Sequence, residues 1–272
     1  GSMSMFVIDA ETCTGCQLCV VACKDEHVDS EYAPWTKPQP EGGHFWVGID
    51  KRERGTMPRL RVSFLPVMCQ HCENAPCAKV CPHDAIKTRD DGIVWIDPAL
   101  CNGCGLCQEA CPYDVIYMNE DLDIAQKCTG CAHRVDEGLQ PRCADVCPHD
   151  SILFGAAAEA ADNGTLEQFH PEYGAEPRVR WKGLPRPWIA GIVIDDAADE
   201  VIDGAEIVVA DLVEDAEETA STDAFGEFWF RGLTDNRKYR VTVRKAGYAE
   251  HVAVVTTDGD CDLGTVRLTP AG

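Results

Sequence analysis

Basic residues are scarce in this chain. Lys and Arg number 24 against 46 Asp and Glu, a formal charge of −22, which excludes binding to nucleic acid through its phosphates. Residues 188–272 hold 7 Lys/Arg against 18 Asp/Glu, or −11, and this acidity reads as a solvated face, with docking to a basic partner as the second reading. Long apolar runs are missing too: none approaches the ~18 residues that span a bilayer, and no basic stretch followed by an apolar core stands at the start. The expectation is a cytoplasmic chain with no signal, anchor or transmembrane segment of its own, which a partner could still export or hold at a membrane. Gly1-Ser2 reads as a cloning remnant. Also absent are a GxGxxG following a strand, a P-loop and any candidate triad, so no catalytic residue is assigned and neither hydride-carrier binding nor bond chemistry is expected.

Cysteine is abundant, but in one half only. Sixteen of the 17 fall between residues 13 and 147, leaving Cys261 alone in the rest. The run Cys101-Asn-Gly-Cys104-Gly-Leu-Cys107-Gln-Glu-Ala-Cys111-Pro112 has the C-x2-C-x2-C-x3-C-P spacing of bacterial ferredoxins, in which three thiolates hold one cubane and the fourth reaches a neighbouring cluster. Three more groups accompany it: Cys13, Cys16, Cys19, Cys23; Cys69, Cys72, Cys77, Cys81; and Cys128, Cys131, Cys143, Cys147. Disulfide frameworks belong to short secreted chains without a repeated C-x2-C pattern. Zinc ribbons use two such pairs but need no third cysteine two residues further on. Iron–sulfur clusters account for the pattern best.

If groups one and four form one double-cluster module and groups two and three the other, the ferredoxin rule assigns every ligand. Cys13, Cys16 and Cys19 then share a cluster with Cys147, and Cys128, Cys131 and Cys143 with Cys23. Likewise Cys69, Cys72 and Cys77 go with Cys111, and Cys101, Cys104 and Cys107 with Cys81. The expectation is four [4Fe-4S] clusters, closed to substrate and suited to one-electron transfer. His71, between two ligands, reads as loop packing. Lys24, Lys79 and Lys127 sit beside ligands, where a charge could raise a potential, and read equally well as solvated lysines.

The groups share an internal repeat, Cys-Pro-x-Asp-x-Ile, at Cys81 to Ile86, Cys111 to Ile116 and Cys147 to Ile152. Between the groups, residues 5–10 read as a strand, Phe45–Ile49 and Leu60–Phe64 as two strands flanking the turn at Arg54-Gly55, and Arg89–Asp97 as a turn and strand. The segment between groups one and two, and the eleven residues between Cys131 and Cys143, are candidate partner-facing surfaces. Residues 156–187, rich in proline after a short helix, read as a linker. From Trp188 the period becomes two, with strands at Ile189–Ile194, Ala205–Ala210, Phe228–Phe230, Tyr239–Val243, Val252–Val255 and Thr265–Leu268. The predicted fold is thus α+β: tandem bacterial-ferredoxin-like modules over residues 1–155, a linker, and a small antiparallel β-sandwich over 188–272.

The order of the four groups and the insert between the first two resemble the iron–sulfur β subunit of molybdopterin oxidoreductases of the dimethyl sulfoxide reductase type. That resemblance implies a large catalytic partner carrying molybdenum on bis-molybdopterin guanine dinucleotide, and an external electron donor. Lys51-Arg-Glu-Arg-Gly-Thr-Met-Pro-Arg59, His71-Cys-Glu-Asn-Ala-Pro-Cys77, Ala125-Gln-Lys-Cys-Thr-Gly-Cys-Ala-His133 and Pro141-Arg-Cys143 resemble more narrowly the small subunits of pyrogallol–phloroglucinol transhydroxylase and related catechol dehydroxylases. Gly191-Ile-Val, Gly204-Ala-Glu-Ile-Val-Val, Asp223-Ala-Phe-Gly-Glu-Phe and Gly247-Tyr248 resemble a carboxypeptidase-regulatory, transthyretin-like sandwich. The transhydroxylase small subunit lacks part of the second and third cysteine groups, whereas all sixteen cysteines are present here. A complete relay suits reductive removal of a catechol hydroxyl, which consumes electrons, better than redox-neutral hydroxyl transfer. Against this stand a transhydroxylase or other molybdopterin reductase subunit, an independent polyferredoxin, and a structural zinc protein.

Overall fold

The computed structural model describes residues 6–55 and 57–271; Gly1, Ser2 and the first residue of the strand expected at 5–10 lie outside them. Two compact units emerge, one from residues up to 52 and 63–184, the other from 53–62 and 185 onward.

The first unit strings short elements between cysteine loops. In chain order they are β1 (Phe6–Asp9), α1 (Leu18–His27), β2 (Val47–Arg54), β3 (Arg61–Met68), α2 (Pro76–Lys79), β4 (Ile86–Thr88), β5 (Val94–Ile96), α3 (Leu106–Ala110), β6 (Tyr117–Asn119), β7 (Ile124–Gln126), α4 (Ala132–Asp136), α5 (Arg142–Asp145), β8 (Ile152–Phe154), α6 (Ala156–Ala161), β9 (Glu167–Gln168) and β10 (Arg180–Lys182). The pairs β2–β3, β4–β5 and β6–β7 are two-stranded hairpins. Isolated hairpins are marginal in water, so these depend on what they cover. Ile86, Val94, Ile96, Ile116 and Ala125 form one core with Cys72, Cys77 and Cys107. Phe6, Ile8, Trp46, Leu65, Met68, Ile93 and Trp181 form the other with Cys19, Cys23, Cys69, Cys128 and Cys143.

β1 lies inside a four-stranded sheet, ordered β8-β1-β10-β9. It runs antiparallel to β8 and parallel to β10, and Phe6, Val7 and Ile8 are buried on both faces, which explains its unbroken apolar run. The stretch expected as a linker is therefore not one. Through Leu184 it belongs to the first unit, with Phe169, Val179 and Trp181 buried. Its backbone binds the second cysteine loop, where Glu73 and Asn74 N–H donate to Glu176 and Ala175 carbonyls and Arg178 N–H donates to Gln70. Prolines kept the chain extended, and extended chain is what a sheet edge accepts.

The second unit contains β11 (Ile189–Asp195), β12 (Glu206–Asp211), β13 (Glu217–Ser221), β14 (Glu227–Phe230), β15 (Lys238–Arg244), β16 (His251–Thr256) and β17 (Cys261–Leu268). Its sheets, ordered β14-β11-β17 and β13-β12-β15-β16, share one core of Ile189, Val193, Phe228, Phe230, Val266 and Leu268 with Ile207, Val209, Tyr239, Val241 and Val243. β11 and β17 pair in parallel, a departure from the all-antiparallel expectation. They are the first and last strands, so no tight turn has to join them. The turn between β2 and β3 belongs to this unit: Arg54 Nη2 meets Asp260 Oδ1 at 2.5 Å, and Arg59 Nη1 donates to both Asp262 oxygens at 2.9 and 3.1 Å. Cys261, half-buried, donates its thiol to the Thr256 carbonyl.

Candidate metal centres

Two local turns, each repeated, aim the cysteine side chains. The residue before the second cysteine of each of the four groups is left-handed: Gly15, His71, Gly103 and Gly130 have φ of 69°, 43°, 71° and 60°. In three of these four loops both cysteines line one cavity. Gly103 shows the constraint most sharply, since a Cβ there would lie 2.5 Å from the Asp123 carbonyl oxygen. In the Cys-Pro-x-Asp-x-Ile repeat the aspartates Asp84, Asp114 and Asp150 are left-handed as well, a conformation that Asp tolerates better than most residues. Each returns its N–H to the carbonyl of the repeat's cysteine. The next N–H then points at the sulfur, Ala85 to Cys81 and Ser151 to Cys147, both at 3.3 Å, and Val115 does the same for Cys111. Ile86, Ile116 and Ile152 follow as buried anchors.

The sixteen cysteines fall into four sets. Cys13, Cys16, Cys19 and Cys147 line one cavity; Cys69, Cys72, Cys77 and Cys111 line a second, which Lys127 also borders; Cys81, Cys101, Cys104 and Cys107 line a third. Cys23, Cys128, Cys131 and Cys143 form a fourth group, buried in full. α1 carries Cys19 to one set and Cys23 to another, and α5 with its C-terminal turn does the same with Cys143 and Cys147. Neighbouring sets feel one another's charge in a fixed sequence. Cys107 lies near Cys77, Cys69 near Cys128, and Cys23 near Cys19. The Cys101, Cys69, Cys128 and Cys13 sets therefore follow one another, and the end sets hold the exposed cysteines, Cys104 and Cys16.

Burial, and then repulsion between neighbouring thiols, pushes these groups up: Cys19 and Cys107 to about 11, Cys72 and Cys131 to about 12, and Cys23 and Cys143 well above the ordinary thiol. Four thiols crowded in this way stay protonated unless a positive centre takes the charge, and metal binding deprotonates such thiols outright. Among the described residues no three His, Cys, Asp or Glu converge as they would around a single ion. The donor set fits iron–sulfur clusters: four sulfurs per set, with backbone N–H groups of His71, Ala85, Ala125, Gly130, Arg142 and Ser151 donating to them at 3.3–3.4 Å.

The three lysines separate cleanly. Lys24 Nζ donates to the Pro40 and Gly43 carbonyls at 2.6 and 2.8 Å, closing the insert after α1. Lys79 is exposed and bonds Asn74. Lys127 is buried and donates to Cys69 Sγ at 3.3 Å, to the Cys128 carbonyl at 3.0 Å and to the Val94 carbonyl. Burial alone would lower its pKa, but the thiolates of Cys69, Cys77 and Cys128 prevail and raise it. His71 packs in a loop as expected, yet it also reaches the centres: its Nδ1 accepts the Val94 N–H at 3.0 Å and its Nε2 lies 3.8 Å from Cys128 Sγ. Burial holds its imidazole well below the usual range.

Two groups escaped the sequence. His27, on the turn after Cys23, is buried with Nε2 3.8 Å from Cys131 Sγ. Glu26 beside it gathers His133 at 3.0 Å and Arg134 and Arg142 at 3.7 Å, tying α1 to α4 and α5. Their only signal is position, a few residues from a cysteine.

Paired cysteine sets that exchange their fourth member across a short helix define a dicluster iron–sulfur protein. Two models of the 4Fe-4S dicluster domain match residues 12–85 and 60–157, and one of the carboxypeptidase regulatory-like domain matches 189–269. The small subunit of pyrogallol hydroxytransferase from Pelobacter acidigallici is 38% identical over 96% of this chain and 98% of its own length. A putative dimethyl sulfoxide reductase iron–sulfur subunit from Halobacterium salinarum is 38% identical over 65% of this chain and 74% of its own, and a tetrathionate reductase subunit from Salmonella typhimurium 33% over 69% and 75%. The chain belongs to the family of iron–sulfur small subunits of dimethyl sulfoxide reductase-type molybdopterin oxidoreductases. No helix among the described residues is long and apolar enough to cross a membrane.

Proposed function

We propose that this chain is the electron-relay subunit of a molybdopterin enzyme, that each set of four cysteines holds one [4Fe-4S] cluster, and that the catalytic partner reductively removes a hydroxyl from a catechol-type aromatic. The completeness of the four sets carries the reading. Bound clusters supply one-electron transfer and leave no iron site open to substrate. The chain's own part is to hold them in sequence, shield the middle sets from water and leave Cys16 and Cys104 accessible at the two ends, where a donor and the catalytic subunit would exchange electrons. Molybdenum and bis-molybdopterin guanine dinucleotide belong to that partner.

Dehydroxylation consumes electrons and protons and releases water, so it needs an external reductant. A second reading, the small subunit of a redox-neutral phenol transhydroxylase, is favoured by the similarity to pyrogallol hydroxytransferase along nearly the whole chain. The experiment that decides is turnover of the complex with its large subunit, with and without reduced viologen. Dehydroxylation that depends on reductant is expected; hydroxyl transfer that proceeds without any sinks the reductive reading. Purification without a large subunit would point to an independent polyferredoxin, and metal analysis that finds zinc in place of iron would remove the relay altogether.

A further inference from the structure

We propose that Lys127 sets the reduction potential of the cluster held by Cys69, Cys72, Cys77 and Cys111, raising it at the junction between the two dicluster modules. The inference rests on the reading that this set holds a cluster. Lys127 touches both sides of the junction, with Cys69 Sγ on one and the Cys128 carbonyl on the other. Its three acceptors, those two and the Val94 carbonyl, match the three N–H donors of an ammonium, whereas a neutral amine has only two. Among the described residues no carboxylate pairs with it. A buried cation without a carboxylate is costly unless another negative group compensates it, and the cluster with its four thiolates is the negative body at hand. Reduction adds one electron to that body beside a fixed positive charge in a dry environment, so the reduced state is stabilised over the oxidised one. Val94 fixes the arrangement from β5: its carbonyl accepts from Lys127 while its N–H donates to His71 Nδ1, leaving the His71 Nε2–H to face Cys128 Sγ. Lys24, next to Cys23, and Lys79, two residues from Cys77 and Cys81, donate to oxygens instead.

The test is an EPR-monitored redox titration of the full chain with dithionite as electron donor, comparing the unsubstituted protein with Lys127→Met and Lys79→Met. In Lys127→Met one of the couples should become harder to reduce, with the reduced-to-oxidised ratio at fixed potential falling at least about ten-fold, or about 59 mV for a one-electron couple. Lys79→Met should shift none. A change below about two-fold in a Lys127→Met protein that retains its iron overturns the proposal. Should Lys127→Met fail to assemble, the unsubstituted protein decides, after labelling with lysine carrying 15N only at the side-chain nitrogen. Pulsed EPR should then detect a 15N coupling to one cluster, and its absence counts against the proposal. Iron content separates the two levels: far fewer than about 16 iron atoms per unsubstituted chain defeats the relay reading, whereas a full complement with no Lys127 effect defeats only this inference.

Discussion

Replacing Arg59 with alanine should loosen the second unit at one definable place. The Arg59 side chain is 4% exposed and grips Asp262 through two hydrogen bonds, while Asp262 itself is 18% exposed. Breaking a fully buried pair by removing one partner costs about 3–5 kcal/mol. Water reaches the Asp262 carboxylate in part, so some of that cost is recovered, and the 3.4 Å contact with the more exposed Glu227 adds little. The expected penalty is about 2–3 kcal/mol. Felt locally, this is roughly a 30- to 140-fold rise in amide exchange at about 1.4 kcal/mol per factor of ten. It should appear in peptides covering residues 53–62 and β17, measured by hydrogen-exchange mass spectrometry on the whole chain, with β12 and β15 far less affected. If exchange in those two peptides changes by less than about three-fold, the turn between β2 and β3 is not held by this pair.

The ligand assignment makes its own prediction. Cys111→Ala should deplete the cluster of the Cys69 set, with about four iron atoms lost and the EPR signals of the Cys101 set retained; loss of the Cys101 set instead overturns the exchange of fourth ligands. Gly103→Ala and Gly105→Ala share a left-handed φ, 71° and 77°, and so about 1–2 kcal/mol of backbone strain. Only at Gly103 would the added Cβ meet a backbone oxygen, since nothing lies within 4 Å of Gly105. Denaturant-induced bleaching of the cluster absorbance should therefore begin earlier in Gly103→Ala, and equal midpoints would show that the Asp123 contact yields freely.

Much of the architecture was legible because the cysteine spacing and the Cys-Pro-x-Asp-x-Ile repeat encode local turns, which need no knowledge of the rest of the chain. What escaped depends on distant partners. β13, Glu217–Ser221, is an edge strand paired with β12 alone; exposed almost throughout, it shows no apolar alternation. β10 is a single buried tryptophan between charged neighbours, and only its registers with β1 and β9 make it a strand. Lys127 could not be told from Lys24 and Lys79 by position, because its burial comes from a carbonyl of β5 and a sulfur 58 residues away. The cysteine loops are legible from spacing alone, while His27 and Glu26 carry no motif at all.

The crossing of cysteines between sets also bears on how such a chain is made. The Cys69 set is complete as soon as Cys111 leaves the ribosome, and the Cys101 set, with Cys81 already in hand, slightly earlier. The Cys13 set has to wait for Cys147, and Cys23 waits for Cys143, so the first cysteines synthesised are among the last to find their partners. The inner module can close on its own while the outer one still gapes, like a pair of parentheses awaiting its second stroke, and Cys13 waits longest of all, with Cys16, exposed even in the folded chain, close behind it.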